Sequence, residues 1–544
     1  MAWRTEGEAI RSSNGDRRTY AELHARVIEL SSALARAGAR EGASVVVSIS
    51  SPLAFVEWAL AVWHTGAALV PVDARGGPRA VASAVERLQP AVVVQQPPSA
   101  ERTSSAVGSP LPAASAQERL VVAAGRMHSA ATPPQPGASA QIATQSSTER
   151  AHASIDSPRP ATSAHAATHR SFEGTPSTEV VHGASVAARA SADPLDPRVG
   201  LVLFTSGSSG PPKAVLLSRD GLAANVEAIL SYLPVAAAPR TAVVLPLVYS
   251  YALVGQVLVT LRAGGTLLLL GDVPFPATQL EQMVAGGAQG LSTVAASLRR
   301  LSAAVRDGAP APALRYVASA GAPLDASTVA QVREAFPGAT VLNQYGLTEA
   351  SPRVTAISDA SEAFARGSVG RALPGLEAWT IDEQGRRLSA GQPGELVVRG
   401  PSVMLGYHRD PTGTARVLSA DGALRTGDSA TIDERGFVTV HGRLDGVVKV
   451  AGERVGLEEI SSLLRQVPGV RDVQVVALPD AELDGRLVAI IESGPECIAT
   501  VRAWARDHLP PQKRPARVVA VAELPRTANG KPDLVALKNL AAAR

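Results

Sequence analysis

Short, nearly unbroken apolar runs separated by helix-period segments constrain this chain more than any other feature. Residues 44–50 (SVVVSIS), 67–73 (AALVPVD) and 91–95 (AVVVQ) are too short for buried helices and lack polar alternation, so each reads as a strand covered on both faces. Between them, residues 20–38 repeat apolar side chains at helical spacing (Leu23, Val27, Leu30, Leu34), and 53–66 and 80–88 continue the alternation. Parallel neighbours need a crossover, so this order implies a mostly parallel, helix-covered sheet. The pattern resumes at 242–246, 265–270 and 314–319, with helices expected over 277–286 and 296–307. In such sheets ligand loops sit beyond the carboxyl ends of the strands. From 367 to 442 short strands and turns take over, and beyond 444 an α+β pattern follows, with helices near 457–466 and 498–509.

With 544 residues and 45% hydrophobic composition the chain exceeds one core. A net charge of +3 and the lack of a basic run interleaved with aromatics exclude nucleic acid as an expected partner. The single cysteine, Cys497, excludes an internal disulfide and a Cys-based zinc site; with no apolar secretory segment at the N-terminus, a cytoplasmic protein is expected. The uncharged window 242–261 is long enough to weigh as a membrane span, but Pro246, the patch Tyr249, Ser250, Tyr251 and the pair Gly255, Gln256 divide it into strand, loop and helix start. Residues 97–199 differ in character: Ala, Ser, Pro and Thr dominate and Phe172 is the only aromatic, so most of this range is expected to be a disordered insertion. It holds five of the ten histidines, at spacings that form no metal motif.

Residues 203–217 join an apolar run to a loop suited to phosphate. Gly207 and Gly210 permit close backbone approach, Thr205, Ser206, Ser208 and Ser209 supply hydroxyls, and Lys213 supplies a mobile cation. A Walker loop needs Ser or Thr after the lysine, where Ala214 stands, and the glycine spacing does not make a hydrolase elbow. Taken alone, a Ser/Gly surface turn fits as well. The stretch 205–213 (TSGSSGPPK) nevertheless resembles the phosphate-loop signature of the adenylate-forming superfamily, which includes acyl- and aryl-CoA ligases, adenylation domains and luciferases.

Five further stretches carry that resemblance in family order. Residues 343–349 (NQYGLTE) are similar to the adenine and metal motif. The resemblance assigns Asn343, Gln344, Tyr345 and Gly346 to the nucleotide, with Tyr345 stacked on the purine and Gly346 allowing its approach; Thr348 donates to the α-phosphate and Glu349 holds Mg²⁺. Residues 425–428 (RTGD) resemble the ribose motif, with Asp428 accepting from both hydroxyls, although Leu424 replaces a more usual aromatic. Residues 442–449 (GRLDGVVK) resemble the domain junction: Arg443 and Lys449 on the nucleotide side, Asp445 as hinge beside Gly446. Residues 452–460 match the segment that faces the site after the hinge moves, and 525–531 (PRTANGK) resemble the motif whose lysine, Lys531, completes adenylation.

The resemblance implies an α/β fold: a large N-terminal domain over 1–444, built of βα-layered sheets plus a β-rich subdomain, and a small mobile α+β C-terminal domain over 445–544. It implies ATP-dependent activation of a carboxylic acid and transfer to the thiol of CoA, or to the phosphopantetheine of a separate carrier protein, because no carrier domain follows Lys531. A luciferase-like oxygenase shares the motifs, and a non-catalytic nucleotide-binding protein is disfavoured by the presence of Glu349 and Lys531. The implied substrate pocket takes in Tyr249, Ser250, Tyr251, Ser319, Ala320, Gly321 and Ala322, the last three also near the nucleotide. Residues 248–253 lack the aspartate that pairs an α-ammonium in amino-acid-activating relatives, so aryl or short-to-medium acyl acids are expected, and Tyr249 stands in place of the family's common histidine.

Overall fold

A computed structural model describes residues 6–96, 178–189, 194–205, 212–271, 273–444, 447–450, 453–478, 486–527 and 531–543. The architecture is mixed α/β, with a large N-terminal domain and a smaller C-terminal one. Among the described residues the N-terminal part holds two large sheets and a smaller antiparallel one. In the first sheet, Ser44–Ser48 is central, flanked in parallel by Ala68–Pro71 and Val92–Gln95. Val199–Thr205 extends it beside Ala68–Pro71, and Lys213–Ser218 folds back antiparallel. In the second sheet, Arg240–Val243, Thr266–Leu269, Gly290–Thr293, Tyr316–Ser319 and Thr340–Gly346 run parallel. Antiparallel Arg353–Ser358 closes one side. Four antiparallel strands between Glu377 and Arg443 make the β-rich part.

Local signals explain where the helices begin. Thr19 and Glu22 form a reciprocal capping box at Tyr20–Arg36, and Ser51 caps Pro52–His64, whose first residue is the proline best tolerated there. Both helices bury apolar faces in one core that includes Trp58, Val45, Leu201 and Leu342. The window 242–261 is divided as expected: the strand ends at Val243, and a helical turn at Ser250–Ala252 runs into a π-helical stretch, Leu253–Leu258. Such wide turns recur where a helix must make room at a site. Among the described residues no helix is long and apolar enough to cross a membrane.

Two features depart from the sequence expectation. Within the range expected to be a disordered insertion, Thr178–Val181 and Ala184–Ala188 form a hairpin on the edge of the first sheet, pairing with Val92–Gln95. Leu195 is buried and Val199 begins a central strand. Small side chains alternating with Val180 and Val186 suffice for pairing here, where Ala184–Ala188 bonds to Val92–Gln95 on one side and to the edge strand Thr178–Val181 on the other. The rest of that expectation, over 97–177, lies outside the described residues. The second is a strand on which the sequence reading was silent, Glu8–Ser12, which pairs in parallel with Thr266–Leu269 in the second sheet.

Beyond 452 a separate apolar core forms around Ile460, Leu464, Val473, Ile491 and Val501, under the strands Asp472–Leu478, Arg486–Glu492 and Arg517–Val521. The helices Leu457–Leu464 and Cys497–His508 match those expected, while a third, Leu534–Ala542, was not expected.

The strand that ends at Ser319 is positioned by an exchange of volume. Tyr316 is fully buried, its phenol pushed up to about 12 by burial, and its ring occupies the space beside Gly290 on the neighbouring strand. A Cβ on Gly290 would lie 2.3 Å from that ring. Gly290→Ala is therefore expected to cost about 1–3 kcal/mol through overpacking, read as a lower thermal midpoint; an unchanged midpoint would show that the ring can move aside.

Candidate active site

Thr205 and Lys213 are register partners at the ends of adjacent antiparallel strands, so the phosphate-loop stretch closes between paired residues. Ser206, Gly207, Ser208, Ser209 and Gly210 lie outside the described residues. The Lys213 ammonium lies 4.5 Å from the centre of the Tyr407 ring, and the Tyr407 hydroxyl donates to Glu349 Oε1 at 3.0 Å. Burial, and then the Glu349 carboxylate, push the Tyr407 phenol up, which keeps it a neutral donor. Tyr407 thus joins the expected phosphate-binding cation to the expected metal-binding acid. The sequence reading missed it; the signal was the pair Gly406–Tyr407, a short strand against Val215 and Leu216 in which Gly406 has φ +145°.

Thr340–Gly346 delivers the next motif. Tyr345 donates its hydroxyl to Asp428 Oδ2 at 2.5 Å, and Arg443 Nη1 lies 3.4 Å from Asp428 Oδ1. Burial, and then Asp428, raise the Tyr345 phenol well above its ordinary value. Asn343 Nδ2 donates to the Ser368 carbonyl at 3.3 Å. Gln344 is buried and faces tyrosines: its Oε1 accepts from Tyr251 at 3.3 Å and its Nε2 donates to the Tyr232 hydroxyl at 2.8 Å. Gln344 thus stands beside Tyr251, one of the residues expected to line the substrate pocket. Gly346 is required by its own chain, since a Cβ there would sit 1.8 Å from the Pro352 carbonyl oxygen.

The expected pocket residues come together at the same strand ends. Ser250 Oγ lies 3.4 Å from Thr348 Oγ1, and the Tyr251 hydroxyl reaches the carbonyls of Thr293 and Ala318 at 3.2 and 3.4 Å. Ser319 and Ala320 are buried, Gly321 turns the chain with φ +81°, and Ala322 is exposed. Tyr249 is half-buried, its phenol raised by burial and then by Asp73, with Arg75 opposing. Among the described residues no group of three or more His, Cys, Asp or Glu could hold a metal, so Glu349 would act with oxygens from the nucleotide. One carboxylate plus phosphate oxygens is an ordinary magnesium set.

Lys531 enters from the C-terminal part. The residue as a whole stays accessible, but protein crowds its ammonium: burial pushes its pKa below the ordinary lysine value, against Glu349 and Asp428, which favour the charge, while Arg443 opposes it. The loop bearing Lys531 is pinned at its base, where Thr527 N donates to the Lys531 carbonyl at 2.8 Å. Asp445, Gly452 and the Lys449 side chain lie outside the described residues.

What brings Lys531 here is a charged knot that sequence reasoning missed. Asp472, buried, accepts from Arg465 Nε at 3.0 Å and pairs with Arg526, on the Lys531 loop. It also pairs at 3.0 Å with Arg299, from the N-terminal helix Ala295–Arg306. Asp325, which caps Ala326–Ala335, lies 3.7 Å from Arg299, and Arg300 pairs with Glu523 at 2.6 Å. Burial by itself would raise the Asp472 carboxyl; Arg299, Arg465 and Arg526 more than offset this and hold it below its ordinary 3.8. Because the docked-state pKa is depressed, this contribution to docking is complete above the ordinary value and is lost as pH falls through the depressed one. Arg299→Ala leaves Asp472 two partners, so we expect about a tenfold rise in the undocked fraction, on the order of 1.4 kcal/mol. Energy transfer between one label in each part checks this, and acidification below pH 3.8 should separate the wild-type parts in the same way. Unchanged transfer in both tests would remove Asp472 as the docking contact.

Comparison with known proteins agrees with this geometry. The profile of the AMP-binding enzyme family matches residues 3–408, and that of the AMP-binding enzyme C-terminal domain matches 459–531. The chain is 31% identical over 339 residues to 4-coumarate–CoA ligase-like 4 of Oryza sativa subsp. japonica, a match covering 61% of each chain. It is 30% identical over 361 residues to a D-alanine–D-alanyl carrier protein ligase of Streptococcus pyogenes, covering 62% of this chain and 70% of that one. Among solved structures, the amide bond synthetase McbA from Marinactinospora thermotolerans superposes with a TM-score of 0.70 at 26% identity, covering 98% of this chain and 96% of that one. Two family profiles in the motif order, over a fold that gathers Lys213, Glu349, Asp428 and Lys531, have one reading: the chain belongs to the AMP-binding, adenylate-forming enzyme family.

Proposed function

We propose that this enzyme uses ATP to activate a carboxylic acid and passes the acyl group to the thiol of CoA. The observation that carries the reading is the convergence of Lys531 on Glu349 and Asp428, since a lysine held there can bridge the two anions of an adenylation. In the first half-reaction a carboxylate oxygen attacks the α-phosphorus of ATP and pyrophosphate leaves, giving an acyl-adenylate. Negative charge accumulates between the attacking carboxylate and the α-phosphate, and the Lys531 ammonium and the Thr348 hydroxyl stabilise it. Asp428 accepts hydrogen bonds from the ribose hydroxyls, sharing them with Tyr345, and Lys213 neutralises outer phosphate charge. Glu349 would hold Mg²⁺, which supplies charge neutralisation on the phosphate oxygens.

In the second half-reaction the thiol sulfur attacks the acyl carbon and AMP departs. A thiol needs the space Lys531 occupies, so the C-terminal part moves about Asp445 between the steps. The CoA acceptor is supported by the likeness to CoA ligases; a carrier-protein thiol is the alternative, supported by the likeness to the D-alanyl carrier protein ligase.

A panel of carboxylic acids scored for acid-dependent pyrophosphate exchange, with CoA consumption followed in parallel, tests the reading. Lys531→Ala should lower exchange by on the order of 10²–10³, the usual loss for one such electrostatic contact. Exchange at the wild-type rate in that variant would overturn the assignment.

A further inference from the structure

Arg353 is 2% exposed, and its position is fixed from both sides: its backbone N–H donates to Asn225 Oδ1 at 3.1 Å, and Asn225 Nδ2 donates to its carbonyl at 2.8 Å. The guanidinium lies 4.6 Å from the centre of the Tyr251 ring, the residue that closes the acyl pocket against the strand ends. The guanidinium hydrogen-bonds the phenols of Tyr232 and Tyr251, and Gln344 links those two hydroxyls. Every one of these neighbours is neutral. No carboxylate of a described residue pairs with Arg353, and its Nε is buried without a hydrogen-bond partner. Glu349, four residues earlier in the chain, is engaged with Tyr407.

A buried cation without a counter-anion is costly, and a planar guanidinium with an open donor is built to take a carboxylate. The guanidinium itself is accommodated by a missing side chain: on the π-helical stretch a Cβ at Gly255 would come within 3.3 Å of Arg353 Nη2 and 3.4 Å of the Tyr251 ring. The neighbouring Ser250 hydroxyl is 3.4 Å from that of Thr348, which faces the reacting end in the proposed reaction. Arg353 and Thr348 thus contact adjacent residues, Tyr251 and Ser250, of one turn.

We propose that the acid activated here is a short dicarboxylate, whose second carboxylate pairs with Arg353 while the first is adenylated. The inference rests on the proposed acid activation and names its substrate class. It takes no new chemical step: Arg353 binds and orients the acid, and one end only becomes the anhydride. A site whose buried donor is left unpaired by the wrong substrate discriminates strongly against it.

The test compares acids of matched size in pyrophosphate exchange: malonate with propionate, succinate with butyrate, glutarate with valerate, phthalate with benzoate. The wild type should favour at least one diacid over its matched monoacid by on the order of 100-fold in kcat/KM. Arg353→Met should abolish that preference and turn it toward the monoacid, and Arg353→Lys should restore part of it. In parallel, the best diacid alone should raise the wild-type thermal midpoint and not that of Arg353→Met. Monoacids preferred by the wild type, or a diacid preference that survives Arg353→Met, would overturn the inference while leaving acid activation intact. If no acid supports exchange, acid activation itself fails, and the thermal shift still decides whether Arg353 takes a dicarboxylate. Should the methionine variant not fold, the wild-type ranking and the lysine variant decide.

Discussion

Three guanidinium groups, from Arg299, Arg465 and Arg526, meet on the buried carboxylate of Asp472. Without that anion they would repel one another, and two of them belong to the C-terminal part while the third belongs to the N-terminal one. Asp325 on the N-terminal side and Glu458 on the other add negative charge around the knot. The arrangement therefore holds only when both parts are present, and because Arg526 lies on the loop of Lys531, it also fixes where that ammonium goes. A contact with no part in the chemistry determines whether the charged groups of the site coexist.

Within the site, two acids are each held by a neutral donor. Glu349 and Asp428 are each satisfied by a phenol, Tyr407 and Tyr345, whose own ionisation burial and the neighbouring carboxylate suppress. A neutral donor is easier to displace than a paired cation, because its departure leaves no unpaired buried charge on the donor side. Lys213 over the face of Tyr407 follows the same logic, as a cation resting on a π-system. Arg353 over Tyr251 differs in being enclosed, with no ion-pair partner among the described residues.

Much of the fold was legible because it depends on near neighbours. Apolar runs such as 44–50 and the helical spacing of Leu23, Val27, Leu30 and Leu34 declared strands and helices within a few residues of where they stand. The hairpin Thr178–Ala188 was not legible, since a segment poor in large apolar groups can still pair when a sheet edge is offered to it. Nor was the pairing of Glu8–Ser12 with Thr266–Leu269, whose partners are far apart in the chain. Within the site, the side-chain partners were not legible: Gln344 reaches Tyr232 and Tyr251, and Gly346 lies against the Pro352 carbonyl.

The sequence by itself determined the fold class, the order of the motifs and the kinds of group available at each, because periodicity, turn chemistry and motif spacing are written between residues close along the chain. Which groups share one small volume was decided by tertiary structure alone. Arg299 and Asp472 stand 173 positions apart, and nothing in either neighbourhood announces the other. Tyr407 meets Glu349, and Arg353 meets Tyr251, because strands from separate segments end at one place. Electrostatic energy depends on distance and on exclusion of water, and both are properties of the packed chain.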